Sequence, residues 1–144
     1  MSLLRRLDTT LSSLHIHQQE VVDLSEYAAL KDAGVATLCT SLFGHAPLRE
    51  LRLAAVGIGV TGATHVAEIV AVHLRLRVLE LSRNAIHDEG TAAIANALGS
   101  SAALERLELS MCDVGDAGAA ALSAALLKRR LAPLTHLDLS LIHI

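Results

Sequence analysis

One hexapeptide pattern, Leu-x-x-Leu-x-Leu, returns along the chain at a nearly constant interval, and this constrains the fold more than any other feature. Leu48, Leu51 and Leu53 set the pattern. Leu76, Leu79 and Leu81 repeat it, followed by Leu104, Leu107 and Leu109, and by Leu134, Leu137 and Leu139. The starts lie 28, 28 and 30 residues apart, and a weaker copy, Gln19 to Leu24, precedes the first by 29. In every copy a small residue follows the third apolar position: Ser25, Ala54, Ser82, Ser110 or Ser140. Ile58, Ile86, Val114 and Ile144 stand five residues after it in four copies, and Gly34, Gly62, Gly90 and Gly118 nine or ten after it.

Beyond each glycine the apolar period changes from two to helical. Leu38 and Leu42, Val66 and Val70, Ile94 and Leu98, and Leu122 and Leu126 fall four and eight residues on, which is one face of an amphipathic helix. Asp32, Asp88 and Asp116 stand two before the glycine, where a helix N-terminus wants a capping oxygen and a negative charge. Val60 takes that place in the second unit, so a weaker cap is expected there. Each unit thus reads as strand, turn, helix. A lone unit cannot bury both its leucines and its helix stripe, so neighbours must stack.

These motifs resemble the leucine-rich repeat family, in particular its long-repeat, ribonuclease-inhibitor-like type, over residues 19–139. That type also forms the sensor ends of nucleotide-binding oligomerisation receptors and the body of Ran GTPase-activating protein. The resemblance implies an α/β solenoid of about four to five repeats of 28–30 residues, with parallel strands on the concave face and helices on the convex face. The family's Asn/Cys position, three after the third leucine, is Asn84 in one copy and Cys112 in the next. Tyr27 and Val56 depart from it, so a patchy polar ladder is expected.

Composition agrees with a regular architecture. Leu and Ala supply 52 of 144 residues, while there is one Phe, one Tyr and no Trp to fill irregular gaps. With 52% hydrophobic residues the chain is not disordered. Twelve basic and fifteen acidic residues give a net charge of −3, without the clustered Lys and Arg of a nucleic-acid surface. No run approaches the ~20 apolar residues of a membrane span. Cys39 and Cys112 have no metal-type spacing and read as buried thiols in a reducing, cytoplasmic setting.

The ends read differently from the middle. Leu3, Leu4, Leu7, Leu11 and Leu14 put residues 1–17 on one helical stripe, expected to be a capping helix over the first repeat, with a mitochondrial leader as the alternative. Residues 18–138 form the repeats. The last six residues, Leu139 to Ile144, also translate the codons CTG TCT CTT ATA CAC ATC, the start of an adapter used in transposase-based sequencing libraries. The native reading is therefore expected to end near Asp138, and the chain to be a fragment of a larger protein. If the terminus is native, its exposed repeat edge offers a self-association site.

No set of residues converges as catalysis requires. His15 and His17 lack further ligands at useful spacing, and His45, His65, His73, His87 and His136 are scattered. Gly57, Gly59 and Gly62 mimic a phosphate-binding loop, but no P-loop lysine follows and the sister repeats keep only the last glycine; a turn is expected. No catalytic, cofactor or metal residues are assigned.

The informative surface is the strand face that the leucines leave free. Alternation places Asp23, Arg52, Glu80, Glu108 and Asp138 in one column, and Val21, Glu50, Val78, Arg106 and His136 in the next. The small column beginning at Ser25 should leave that side of the sheet open. Asp23, Glu50, Arg52, Glu80, Arg106, Glu108, His136 and Asp138 are the candidate partner-binding residues. Their predominantly acidic stripe suits a protein partner with a basic surface. The expected function is a non-catalytic protein-interaction module within a larger intracellular scaffold or receptor. The alternative is a GTPase activator resembling Ran GTPase-activating protein; Arg83 stands in a loop beside the strand face and Arg52 on a strand, but no motif of that family matches here residue by residue, so no role is carried over to them.

Overall fold

A computed structural model describes residues 20–43, 47–101, 103–128 and 134–142; the N-terminal segment with His15 and His17, His45, and Ile144 lie outside them. Five strands alternate with four helices among the described residues. They are β1 (Val21–Asp23), α1 (Lys31–Leu42), β2 (Glu50–Arg52), α2 (Val60–Val72), β3 (Val78–Glu80), α3 (His87–Ser100), β4 (Arg106–Glu108), α4 (Asp116–Lys128) and β5 (His136–Asp138). The strands form one parallel sheet in sequence order. Register follows the repeat: Val22, Leu51, Leu79, Leu107 and Leu137 lie side by side. The solenoid expected from the periodicity is therefore present.

The core fills the layer between sheet and helices. The three leucines of each of the β2, β3 and β4 copies are completely buried, as are Leu38, Leu42, Val66 and Ile94 from the helix stripe. Each such side chain contributes roughly 1.5–3 kcal/mol through burial. Cys39 and Cys112 are free and buried, as the sequence suggested. Burial pushes the Cys39 thiol up to about 12 and that of Cys112 to about 11, so neither is a thiolate nucleophile near neutral pH.

Past each strand the chain turns through a left-handed residue. Glu26, Ala55, Arg83, Met111 and Leu141, two positions after the third apolar residue of their copies, have φ between 54° and 69°. Such a conformation costs a non-glycine residue free energy. Hydrogen bonding between repeats offsets it: the amides of Glu26, Ala55, Arg83 and Met111 donate to the carbonyls of Ala54, Ser82, Ser110 and Ser140. Ala54 and Ser82 are buried by this close approach, so the small column does not leave the centre of the sheet open. The small side chains instead let successive turns meet.

The expected helix caps require a correction. Asp32 does not cap α1, whose N-cap position has no side-chain hydrogen bond. Its Oδ1 accepts from the amides of Gly59 and Gly62, at 2.8 and 2.9 Å, at the start of α2. Asp88 treats the amides of Gly115, just before α4, and Gly118, in its first turn, in the same way, at 2.7 and 2.9 Å. Asp32 and Asp88 thus cap the helix of the following repeat, and α2, expected to be weakly capped because of Val60, has its cap from Asp32. Glycine makes room for this reach: a Cβ on Gly62 would lie 2.5 Å from Asp32 Oδ1, and one on Gly118 2.7 Å from Asp88 Oδ1.

Candidate functional site

The glycine-rich segment from Gly57 to Gly62 is a turn whose donors are already used. Asn84 Oδ1 accepts from the amides of Val56, Gly57 and Ile58 at 3.1–3.3 Å. Its Nδ2 donates to the carbonyls of Leu53 and Leu81, both at 2.8 Å. With Asp32 holding Gly59 and Gly62, the amides that would cradle a phosphate are occupied by internal oxygens. Cys112 keeps part of the ladder, its thiol donating to Leu81 O at 3.1 Å. Val56 has no such group, and the patchiness expected from the sequence is real.

The two polar columns run across the sheet in register. Asp23, Arg52, Glu80, Glu108 and Asp138 are successive strand partners, as are Val21, Glu50, Val78, Arg106 and His136. All keep some exposure while Leu51, Leu79 and Leu107, between them in sequence, have none. The strands are only three residues long, so each contributes its two outer side chains to this face, both polar in β2, β4 and β5 and a valine with a carboxylate in β1 and β3, and its central apolar side chain to the core.

Charge on this face is organised within strands. Arg52 donates to Glu50 Oε2 from Nε at 3.2 Å and from Nη2 at 2.9 Å. That bond, with Asp23 and Glu80 nearby, holds the guanidinium more firmly protonated than usual. Arg106 Nη1 donates to Glu108 Oε1 at 3.1 Å. Partial burial raises the Glu80 carboxyl above the ordinary glutamate range, and the neighbouring Glu108 charge adds to it. Asp138 goes the other way, held low by hydrogen bonds from Ser140, whose amide lies 2.8 Å from Oδ1. With both arginines taken up on their own strands, Asp23, Glu80 and Asp138 leave the stripe negative.

A family model described as Leucine Rich repeat matches residues 75–95 and 100–123. Among solved structures, leiomodin-1 actin-binding site 2 superposes with a TM-score of 0.76 over 100% of this chain and 81% of that one, at 16% identity. The fold is a leucine-rich repeat solenoid. A search of curated proteins gives no significant match.

In the leucine-rich repeat solenoid the histidines do not gather. His73 is buried and its Nε2 lies 2.8 Å from Leu42 O, closing the end of the preceding helix. His65 and His87 lie beside Glu68 and Asp113 at 3.9 Å, and His136 is on β5. Among the described residues no group of three or more His, Cys, Asp or Glu is placed to hold a metal ion. No helix among them is long and apolar enough to cross a membrane. Arg83, the loop arginine of the GTPase-activator reading, is paired with Glu26 two repeats away.

One charged cluster escaped the sequence reading. Arg49, Arg75 and Arg77 line a recess at the side where helices return to strands. The signal is in the repeat: Arg49 and Arg77 each follow the first leucine of their copies, one position before the two columns that flank the second leucine.

Proposed function

We propose that this chain is a non-catalytic protein-interaction module that binds a partner along the polar face of its sheet. One observation carries the reading: ten side chains in two registered columns stay accessible on strands whose central residues in β2, β3 and β4 are fully buried. Asp23, Glu50, Arg52, Glu80, Arg106, Glu108, His136 and Asp138 form the contact set. The uncompensated carboxylates select a partner surface rich in Lys or Arg, and steer its approach. Extended concave surfaces of this kind are what stacked repeats offer to other proteins. The leiomodin segment of similar fold is itself described as an actin-binding site, which supports the general role without naming this partner.

The reading includes three finer points. The repeats are of the ribonuclease-inhibitor-like type, as the strand–turn–helix length and the Asn84 and Cys112 ladder suggest. The chain works in a reducing, cytoplasmic compartment, as its two unpaired buried thiols suggest. It acts as part of a larger scaffold or receptor.

The test is affinity capture from cell extract with the 144-residue chain and with a Glu80→Lys/Glu108→Lys double variant, identified by mass spectrometry. The expected result is a group of captured proteins with basic surfaces that the variant loses. Identical capture by both chains, or none by either, would sink the concave-face reading.

A further inference from the structure

The rim where helices return to strands carries charge of the opposite sign to the sheet face. Arg49 and Arg77 occupy the same place on neighbouring repeats, the amide of Arg77 donating to Arg49 O at 2.7 Å. Like charges set side by side on adjacent strands repel. Each reaches a carboxylate on its outer neighbour instead: Arg49 Nε lies 3.5 Å from Glu20 Oε2, and Arg77 Nε 3.7 Å from Glu105 Oε1. Arg75, exposed in the α2–β3 loop, has no carboxylate partner among the described residues. Between them opens a recess of about 290 Å³, walled also by Ala103 and by Leu74, whose side is three-quarters bare at 75% exposure.

The two existing ion pairs are long and half-exposed, a class that contributes little to stability and exchanges readily. An incoming carboxylate can therefore draw Arg77 and Arg75 together without breaking anything strong, and their planar donor forks suit it. The exposed Leu74 beside them offers an apolar contact that a small free anion has no use for.

We propose that this recess docks an acidic peptide segment of a partner protein, with a carboxylate between Arg75 and Arg77 and a neighbouring apolar side chain over Leu74. Shape argues against a lipid surface: the arginines line a hollow, whereas a bilayer is met by protruding side chains. The bare Leu74 in its wall gives a continuous phosphate backbone nothing to pack against, which disfavours nucleic acid. The site lies apart from the concave stripe and prefers the opposite charge, so the two docking events are independent.

The experiment is fluorescence anisotropy with the full chain and a short labelled peptide that carries consecutive Asp and Glu residues around one leucine. The same peptide with Asn and Gln in their places is the control, and vesicles of phosphatidylserine and phosphatidylcholine form a separate arm. The expected result is binding of the acidic peptide alone, weakened roughly tenfold or more by Arg75→Glu. Leu74→Ala, which leaves the charge untouched, should also weaken it, while Glu80→Gln on the sheet face should not. Circular dichroism confirms that each variant is folded. Equal binding of the two peptides, indifference to both Arg75→Glu and Leu74→Ala, or association with vesicles alone overturns the proposal. Failure here leaves the concave-face reading intact, because that reading is scored on basic partners and on Glu80 and Glu108.

Discussion

Asn84 is the side chain on which most depends. It is buried, and one amide group satisfies three backbone donors and two carbonyls from two repeats. Water has little access to replace it, since Val56 and Ile58 beneath it are themselves sealed. Asn84→Ala should therefore lower stability by about 3 kcal/mol, measured by urea denaturation, because several buried groups lose their partners at once. Asn84→Asp should be no remedy at neutral pH: its second oxygen would face the carbonyls of Leu53 and Leu81 in place of a donor. A result within about 0.5 kcal/mol of wild type for Asn84→Ala would show that the turn does not depend on this side chain.

At the level of elements, the strands and helices were legible because each carries its own period, two in the strands and helical after the glycine. The register of the candidate face was legible for the same reason. What could not be read locally was the destination of the cap. Asp32 sits where a capping residue of its own helix would sit, yet its oxygen is spent on Gly59 and Gly62. A rule that looks only a few residues ahead misses a partner about a repeat away. Asp32→Ala should thus speed amide exchange at Gly59 and Gly62 while leaving α1 protected, at a cost of about 1 kcal/mol. Faster exchange across α1 instead would restore the local reading. The Arg49 and Arg77 recess differs, since both arginines hold one repeat position, after the first leucine, and lie just outside the two columns that flank the second.

The sheet face makes a pH prediction of its own. Glu80 has a folded pKa above its ordinary value, so between the two the folded chain binds more protons than the unfolded one. Stability from this group consequently falls as pH rises through that window, the reverse of a salt-bridged carboxylate. A cationic partner favours the ionised form, so binding should strengthen as pH rises from the ordinary glutamate range toward neutrality and then level off. Glu80→Gln should flatten both trends. A binding isotherm series across that range that is unchanged by Glu80→Gln would remove this residue from the contact set.

For the molecule as a whole, the devices described here join a repeat to its neighbour: the sheet ladder, the left-handed turns, Asn84 and the aspartate caps. Stability in such an array is a sum of repeat and interface contributions, so equivalent residues are not equivalent in cost. Leu79 and Leu137 hold the same place in the pattern and lie in one row of the sheet. Leu79 is fully buried between two neighbouring repeats, whereas Leu137 is only partly covered, lining an open apolar groove with Leu122, Leu126 and Leu139. Truncating Leu79 to Ala leaves a cavity that its neighbours cannot fill, and should cost about 3 kcal/mol. Leu137→Ala removes a side chain that water already touches, and should cost less than roughly half as much. Denaturation of the two variants side by side decides the point. Equal losses would mean that β5 is sealed in solution, and that something covers the groove beside α4.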